Sequence, residues 1–121
     1  MVIIMNDEQI LELVVKTLDS KKGDNIKVIK ISDISTIANY FVLAAGTSST
    51  QVRALADETE YKLKQAGIVP KRVEGERGSN WIVLDYIDVV VHIFYKETRE
   101  FYNLEHLWQD GEEIDTRKFL E

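Results

Sequence analysis

The segment from Trp81 to Tyr95 constrains the fold of this chain more than any other stretch. It reads W-I-V-L-D-Y-I-D-V-V-V-H-I-F-Y, which is two extended apolar runs separated by Asp85-Tyr86-Ile87-Asp88. Strands with so short a connection pair as an antiparallel hairpin. If Tyr86 and Ile87 form the turn, the alternation of side chains gives one entirely apolar face, made of Ile82, Leu84, Val89, Val91 and Ile93. That face is predicted to pack on the core.

The opposite face of the hairpin carries a mixture of aromatic, acidic and aliphatic side chains. The same register pairs Asp85 with Asp88, Val83 with Val90, and Trp81 with His92. Two carboxylates directly opposite each other repel by a few tenths to about 1 kcal/mol. A Lys or Arg from a partner would replace that repulsion with charge-assisted hydrogen bonds. Aromatic residues beside an apolar centre are typical of interface hot spots, so this face is a candidate binding surface.

Each of these residues also has a purely structural interpretation. Trp81 can cover the sheet beneath a helix, and His92 can be a core histidine bonded to a neighbouring carbonyl group. Asp85 and Asp88 can be solvated turn residues. Because all of them lie on one face, we favour the interpretation as a binding surface. A two-residue shift of the hairpin register would keep them on one face, whereas a one-residue shift would not.

The N-terminal half of the chain predicts two helices and two strands. Asn6 and Gln9 have capping-box spacing at the start of a first helix, whose broad apolar stripe suits either a sheet or a homodimer face. Tyr40 to Ala45 is apolar on both faces, as a central strand would be. Ser48 and Gln51 have the spacing of a second capping box, before a second helix.

The C-terminal half predicts three more strands and a helix. The strands lie at residues 71–74, 81–85 and 88–95, and the helix at residues 96–108 has Phe101, Leu104 and Trp108 on one stripe. The expected fold class is α/β, in the order α-β-β-α-β-β-β-α. Residues 1–110 form one domain with a mixed five-stranded sheet and helices packed on it. Residues 111–121 are predicted to be an acidic tail.

Length and charge limit the classes of function. The 121 residues suit one domain, and the absence of cysteine fits a reducing cytoplasm and removes thiolate metal sites. No segment approaches the roughly 20 apolar residues of a membrane span. The net charge is −6, and residues 97–121 contribute eight acids against three bases. Nucleic-acid binders concentrate Lys and Arg, so we expect no direct nucleic-acid readout and a basic protein as the partner.

Candidates for catalysis are weak. No cysteine nucleophile exists, and Gly46-Thr47-Ser48-Ser49 lacks the second glycine of a nucleophile elbow. The spacing of Asp85, Asp88, His92 and His106 matches no metal-ligand signature. We therefore expect no catalytic residue, no cofactor and no metal.

Four stretches carry a family signature. They are Tyr40-Phe41-Val42-Leu43 through Gly46; Gln51-Val52-Arg53-Ala54-Leu55-Ala56; Glu74-Gly75 with Trp81 and Asp85; and Asp88-Val89-Val90-Val91-His92-Ile93-Phe94. The pattern continues through Arg99, Phe101-Tyr102, Leu104-Glu105 and Leu107-Trp108. These residues, spread over roughly residues 40–110, resemble the ribosomal silencing factor family, also called the RsfS or Iojap family. Because several rare residue types recur in a fixed order, the resemblance is specific.

The resemblance implies a fold and a mechanism. The fold would be a small α/β domain distantly related to nucleotidyltransferases, without catalytic carboxylates in working positions. The partner would be the large ribosomal subunit, bound through its basic interface protein conventionally numbered fourteen. Occupying that face would block joining of the small subunit and repress translation under nutrient limitation. The resemblance also implies homodimers away from the ribosome, in the cytoplasm.

We therefore predict a non-enzymatic repressor with a defined set of partner-binding residues. Trp81 and Tyr86 are the expected anchors, and Glu74, Asp85, Asp88 and Glu105 are expected to meet basic groups. The residues expected to extend or brace this surface are His92, Arg99, Tyr102, Leu104 and Trp108. Arg99 has the alternative of pairing with an acid of its own chain, and Trp108 that of packing a helix on the sheet.

The chain departs from the family pattern at two positions. Asn39 stands where the family usually has Asp, and Ile87 stands where it often has Gly, which predicts a wider or strained turn.

Two other functions are alternatives to the repressor. One is a nucleotidyltransferase-like enzyme that binds a nucleoside triphosphate with Mg²⁺. The other is a dimerisation module whose exposed patch meets only a second copy of itself.

Overall fold

A mixed six-stranded sheet with helices packed on it makes up the fold, in a computed structural model that describes residues 5–75 and 80–120. In chain order the elements are α1 (Asp7–Ser20), β1 (Asp24–Lys30), β2 (Tyr40–Gly46), α2 (Ser49–Gln65), β3 (Arg72–Glu74), β4 (Trp81–Asp85), β5 (Val89–Tyr95), α3 (Lys96–Tyr102), α4 (Leu104–Leu107), β6 (Glu112–Ile114) and α5 (Arg117–Leu120). Residues 76–79, between β3 and β4, lie outside the described residues. None of the described helices is long and apolar enough to cross a membrane.

The sheet is built around one parallel pair of strands. Its strand order is β3-β4-β5-β2-β1-β6, and β2 pairs with β5 in parallel while the other neighbours are antiparallel. Every residue of β2 from Phe41 to Gly46 is buried, as is every residue of β5 from Val89 to Phe94. The prediction of a central strand apolar on both faces is confirmed. A strand of this kind requires cover on both sides of the sheet.

Helices α1 and α2 cover one face. The predicted capping box of α1 is confirmed, because Gln9 N donates to Asn6 Oδ1 at 2.8 Å and Asn6 N donates to Gln9 Oε1 at 2.9 Å. Only half of the capping box predicted for α2 is present. Ser48 Oγ accepts from Gln51 N, but Gln51 Oε1 accepts from Thr47 N instead of Ser48 N. The apolar stripe of α1 is buried inside the chain, so its alternative role as a homodimer face is wrong.

The register of the hairpin differs from the predicted one by two residues. Asp85 lies opposite Val90, Val83 opposite His92, and Trp81 opposite Phe94. The predicted face is preserved, but the predicted turn at Tyr86-Ile87 is wrong. Tyr86 N donates to Val89 O at 2.9 Å, which leaves Ile87 and Asp88 as the turn. Ile87 has φ 75°, a conformation that glycine adopts freely and a β-branched residue does not, so the turn is strained as the family comparison predicts.

The helix predicted at residues 96–108 is broken in two. Asn103 separates α3 from α4 with φ 49° and ψ 55°, the left-handed conformation that Asn tolerates better than most residues. The break turns Phe101 out to solvent, where it is 81% exposed. The prediction that Phe101 shares an inward stripe with Leu104 and Trp108 is therefore wrong.

The C-terminal segment is part of the domain. Glu113 of β6 pairs with Ile29 of β1, which makes β6 the sixth strand where five are predicted. Phe119 of α5 is 3% exposed and belongs to the core beneath α1 and α2. The prediction of a tail outside the domain is wrong through residue 120. Ile114 and Phe119 pack inward, whereas the acids Glu112 and Glu113 are exposed on a charged edge strand.

Replacing Phe119 by Ala is expected to destabilise the whole domain. Truncating a buried Phe to Ala typically costs about 3 kcal/mol or more, whereas Leu120→Ala, at a neighbour that is 40% exposed, should cost about 1 kcal/mol or less. Urea unfolding of both variants measures the difference in the free energy of unfolding. Equal effects would mean that α5 does not belong to the cooperative unit.

Candidate functional site

Aromatic side chains cover the face of the sheet that α1 and α2 leave open. Alternation along the strands brings residues of β2, β4 and β5 to this side. Two more come from the α3–α4 segment, by which we mean residues 96–108. Ring centroids lie 5.3 Å apart for Trp108 and Phe41, 4.7 Å for Phe41 and His92, and 5.0 Å for Trp81 and Tyr102. We call the set the aromatic cluster: Phe41, Trp81, His92, Phe94, Tyr102 and Trp108.

Cover over the aromatic cluster is uneven. Phe41, His92 and Phe94 are buried, because the loop before β2 and the α3–α4 segment close over them. Trp81 is half-buried and stacks on Phe94 at 4.9 Å, while Tyr102 is 54% exposed. The cluster is therefore a second small core at one side and an open surface at the other.

His92 supports Trp81 from beneath. Its Nδ1 accepts a hydrogen bond from Trp81 Nε1 at 3.2 Å, which requires the proton of the neutral ring to be on Nε2. That Nε2 is buried and has no hydrogen-bond partner among the described residues. Burial lowers the pKa of His92 to about 4, although the Asp85 carboxylate acts in the opposite direction. His92 is therefore neutral near pH 7 and braces the indole instead of facing a partner.

The open side of the aromatic cluster forms a surface with acidic neighbours. Trp81 and Val83 of β4 are half-buried, and Phe101 and Tyr102 of α3 are largely exposed, with ring centroids 5.2 Å apart. Glu74 lies opposite Val83 across β3 and β4, which puts it and Asp85 on the same face as Trp81. Contiguous exposed apolar surface beside polar groups marks interaction sites. We call this surface the aromatic–acidic patch: Glu74, Trp81, Val83, Asp85, Phe101 and Tyr102.

The acids of the patch have weak ties within the chain. Glu74 is paired with Arg72 at 3.2 Å, but both side chains are more than half exposed, and such pairs contribute at most about 1 kcal/mol. Asp85 Oδ1 accepts one hydrogen bond, from Ile87 N at 2.8 Å. Asp88 is exposed in the turn and does not lie opposite Asp85, so the predicted pair of facing carboxylates is wrong.

Arg99 holds the α3–α4 segment in place. Its side chain is 5% exposed, and its Nε donates to Glu105 Oε1 at 2.6 Å across the break at Asn103. Its Nη1 also donates to the carbonyl oxygen of Asn25 at 2.7 Å, at the start of β1. The alternative that Arg99 pairs with an acid of its own chain is confirmed. Glu105 is engaged in the same pair and its side chain is 25% exposed, so its role of meeting a partner's basic group stays a prediction.

Tyr86 is not on the candidate surface. It is 8% exposed on the side of the sheet covered by α1 and α2, where burial and the nearby Glu60 raise the pKa of its hydroxyl. The prediction of Tyr86 as an accessible anchor is wrong, because the turn begins one residue later than expected. Leu104 and Trp108 are half-buried against the covered part of the aromatic cluster, which supports their bracing role.

Sequence reasoning missed the exposure of Phe101 and Leu107, which are 81% and 71% exposed. Asn103 is the signal that would have found them, because an Asn between two helical segments favours a left-handed break. Among the described residues, no group of three or more His, Cys, Asp or Glu is placed to hold a metal ion. The chemistry that the patch offers is recognition of a surface that is partly apolar and partly cationic.

The geometry of the described residues defines a small α/β domain with a candidate recognition surface and no group of three or more metal-ligating residues. The family model described as "Ribosomal silencing factor during starvation" (RsfS) matches residues 5–121. A ribosomal silencing factor RsfS of Halalkalibacterium halodurans is 38% identical over 111 residues, 92% of this chain and 95% of that protein. A crystal structure of a Chromobacterium violaceum protein superposes with a TM-score of 0.84 at 33% identity, covering 87% of this chain and 88% of that one.

A further relative from Mus musculus is named "Mitochondrial assembly of ribosomal large subunit protein 1". It is 31% identical over 101 residues, which are 81% of this chain and 44% of that protein. Together with the family model, these similarities establish that the chain belongs to the RsfS family of ribosomal silencing factors. The family is named for a regulatory role and not for an enzymatic one.

Burial of neutral His92 is expected to make folding stability depend on pH. Because its pKa is lowered in the folded state, the unfolded chain binds the proton more readily, and stability falls as pH drops from about 6.5 to about 4. The full shift corresponds to about 3 kcal/mol. Urea unfolding across this range, compared with His92→Gln, isolates the contribution from that of the carboxylates. An NMR titration of the His92 ring with a midpoint near 6.5 would contradict the assignment.

Proposed function

We propose that this protein represses translation by binding the large ribosomal subunit through its basic interface protein conventionally numbered fourteen. The observation that carries the proposal is the aromatic–acidic patch, in a chain of net charge −6 that belongs to the ribosomal silencing factor family. The name of the mouse relative, which refers to the large ribosomal subunit, supports that subunit as the partner.

The patch offers two kinds of contact to a basic protein. Phe101 and Tyr102 supply exposed aromatic area with few rotatable bonds, so little conformational entropy is lost on binding. Glu74 and Asp85 lie on the same face of the sheet as Trp81, which contacts Tyr102, and they suit Lys or Arg side chains of the partner. The negative charge of the whole chain speeds its encounter with a basic surface.

Repression would follow from the space that the bound protein occupies. A folded domain of 14.0 kDa on the face that meets the small subunit leaves no room for subunit joining, and no chemical step is needed. The family's description, which refers to starvation, supports nutrient limitation as the condition. The expected location is the cytoplasm, where the ribosomes would be met.

Homodimers away from the ribosome form part of the same proposal. The patch exposes Phe101 and Tyr102, and a second copy is a natural cover for apolar surface that water would otherwise meet. The acids beside them repel in such a dimer, so self-association should be weaker than docking on a basic protein.

Tyr102→Ala is expected to weaken binding to isolated large subunits at least ten-fold. Removing an aromatic hot-spot residue costs about 2 kcal/mol of binding free energy. Tyr102 is 54% exposed, so its loss should change the free energy of unfolding little. Co-sedimentation with purified large subunits, with and without added small subunits, measures both binding and the block of joining.

Leu120→Ala is the control for this experiment. Leu120 is 40% exposed, but it lies on α5, which packs on α1 away from the aromatic–acidic patch. Its truncation should leave binding within two-fold of the parent protein. Equal binding by both variants would refute the patch. If Tyr102→Ala abolished dimers in analytical ultracentrifugation yet kept full subunit binding, the patch would serve self-association only.

The proposed fold relationship to nucleotidyltransferases carries no activity with it. The described residues contain no group of three or more His, Cys, Asp or Glu placed to hold the metal of a Mg²⁺–nucleotide complex. Calorimetric titration of the protein with ATP, GTP, CTP or UTP in millimolar Mg²⁺ is therefore expected to give no binding heat. A saturable isotherm with any of them would favour the enzymatic alternative.

A further inference from the structure

A short basic segment stands out in this acidic chain. Residues 61–72 read Y-K-L-K-Q-A-G-I-V-P-K-R and contain four bases and no acid, a local charge of +4. The other residues of the chain together carry −10. Residues 16–30 are also basic, with five bases and two acids, so the cations of this acidic chain concentrate in two stretches, of which residues 61–72 carry the higher local charge.

The basic segment reaches the edge of the aromatic–acidic patch at its C-terminal end, whereas Lys62 and Lys64 lie on α2, which covers the other face of the sheet. It runs from the last turns of α2 to the first residue of β3, where Lys71 N donates to Asp85 O at 2.8 Å and Arg72 lies opposite Asp85. Asp85 is the last residue of β4 and Trp81 is the first. At about 3.4 Å per residue, Asp85, and with it the C-terminal end of the basic segment, lies roughly 13 Å along β4 from Trp81.

The lysines of the segment are available for an external anion. Lys62, Lys64 and Lys71 are exposed, and none of them forms an ion pair with an acid elsewhere in the described residues. Lys62 and Lys64 lie in the last turn of α2, where the helix dipole favours cations. The helix dipole does not account for the position of Lys71, because Lys71 follows Pro70 and lies outside the helix.

We propose that the basic segment contacts the phosphate backbone of ribosomal RNA that adjoins the docking protein. This proposal rests on the proposed function, because it takes the large subunit as the surface being bound. Lysine ammonium groups bind phosphates as point charges, and such contacts position a protein without reading sequence. The domain then presents an acidic and aromatic side to a basic protein and a cationic border to RNA.

A lysine-neutralised variant tests the proposal through salt dependence. Each phosphate contact contributes about 0.7 to 0.9 to the slope of log affinity against log salt concentration. The triple variant Lys62→Gln, Lys64→Gln, Lys71→Gln should therefore lose about 2 from that slope in binding to isolated large subunits. The control is Lys16→Gln, Lys21→Gln, Lys22→Gln, which makes the same charge change at the C-terminal end of α1. Gln51 in the first turn of α2 donates to the Lys22 carbonyl oxygen, so this end of α1 lies roughly 20 Å from Lys64 along α2. The control variant should keep the parent slope.

A second titration distinguishes RNA from protein as the occupant. The partner is then purified large-subunit protein number fourteen without RNA, for which the Lys62, Lys64, Lys71 variant should bind like the parent. An unchanged slope on subunits would overturn the proposal, and so would equal slope losses in both triple variants. Weakened binding to the isolated protein would also overturn it, because the lysines would then contact protein. Failure of the proposed function gives a different result, namely normal binding of Tyr102→Ala to both partners.

Discussion

The parallel pair of β2 and β5 imposes the constraint on which the rest of the structure depends. Both strands are apolar on both faces, so water must be kept from both sides of the sheet. The two long helices, α1 and α2, lie on the same side. The other side is covered by aromatic residues of the sheet itself and by the short α3–α4 segment. That cover ends at β4, and the aromatic–acidic patch lies at the place where it ends.

Helices as short as α3 and α4 depend on tertiary contacts for their stability. Arg99 supplies polar contacts, because one guanidinium joins Glu105 after the break to the Asn25 carbonyl group of β1. Leu104 and Trp108 supply the apolar ones. A buried cation with a partner removed is costly, so loss of Glu105 would disturb this segment more than loss of an exposed acid would. The position of Phe101 and Tyr102 is thereby tied to β1, which is separated from β5 by β2 in the sheet.

Periodicity in the sequence predicted what depends on local pattern. The bounds of β4, the central character of β2 and the cap of α1 follow from alternation and capping chemistry, and the structure agrees with them. Periodicity could not predict features that depend on the backbone conformation of one residue or on packing between segments far apart in the sequence. Ile87 adopts a positive φ that its side chain disfavours, which moved the register and put Tyr86 inside. Glu112–Ile114 is acidic and short, and only pairing with β1 makes it a strand. The face of Trp81 and Asp85 was predicted because a slip of two residues leaves alternation unchanged.

The long separation in sequence between contacting segments bears on when this protein can act. Tyr40 pairs with Val89 in the parallel ladder, and Arg99 bonds to a carbonyl group 74 residues earlier in the chain. Such distant segments must come together before their packing can stabilise the fold. Most of the polypeptide must therefore be present before the domain can fold. During translation, Tyr102 emerges from the ribosome after every strand except β6. A half-made chain therefore lacks the surface proposed to meet the ribosome.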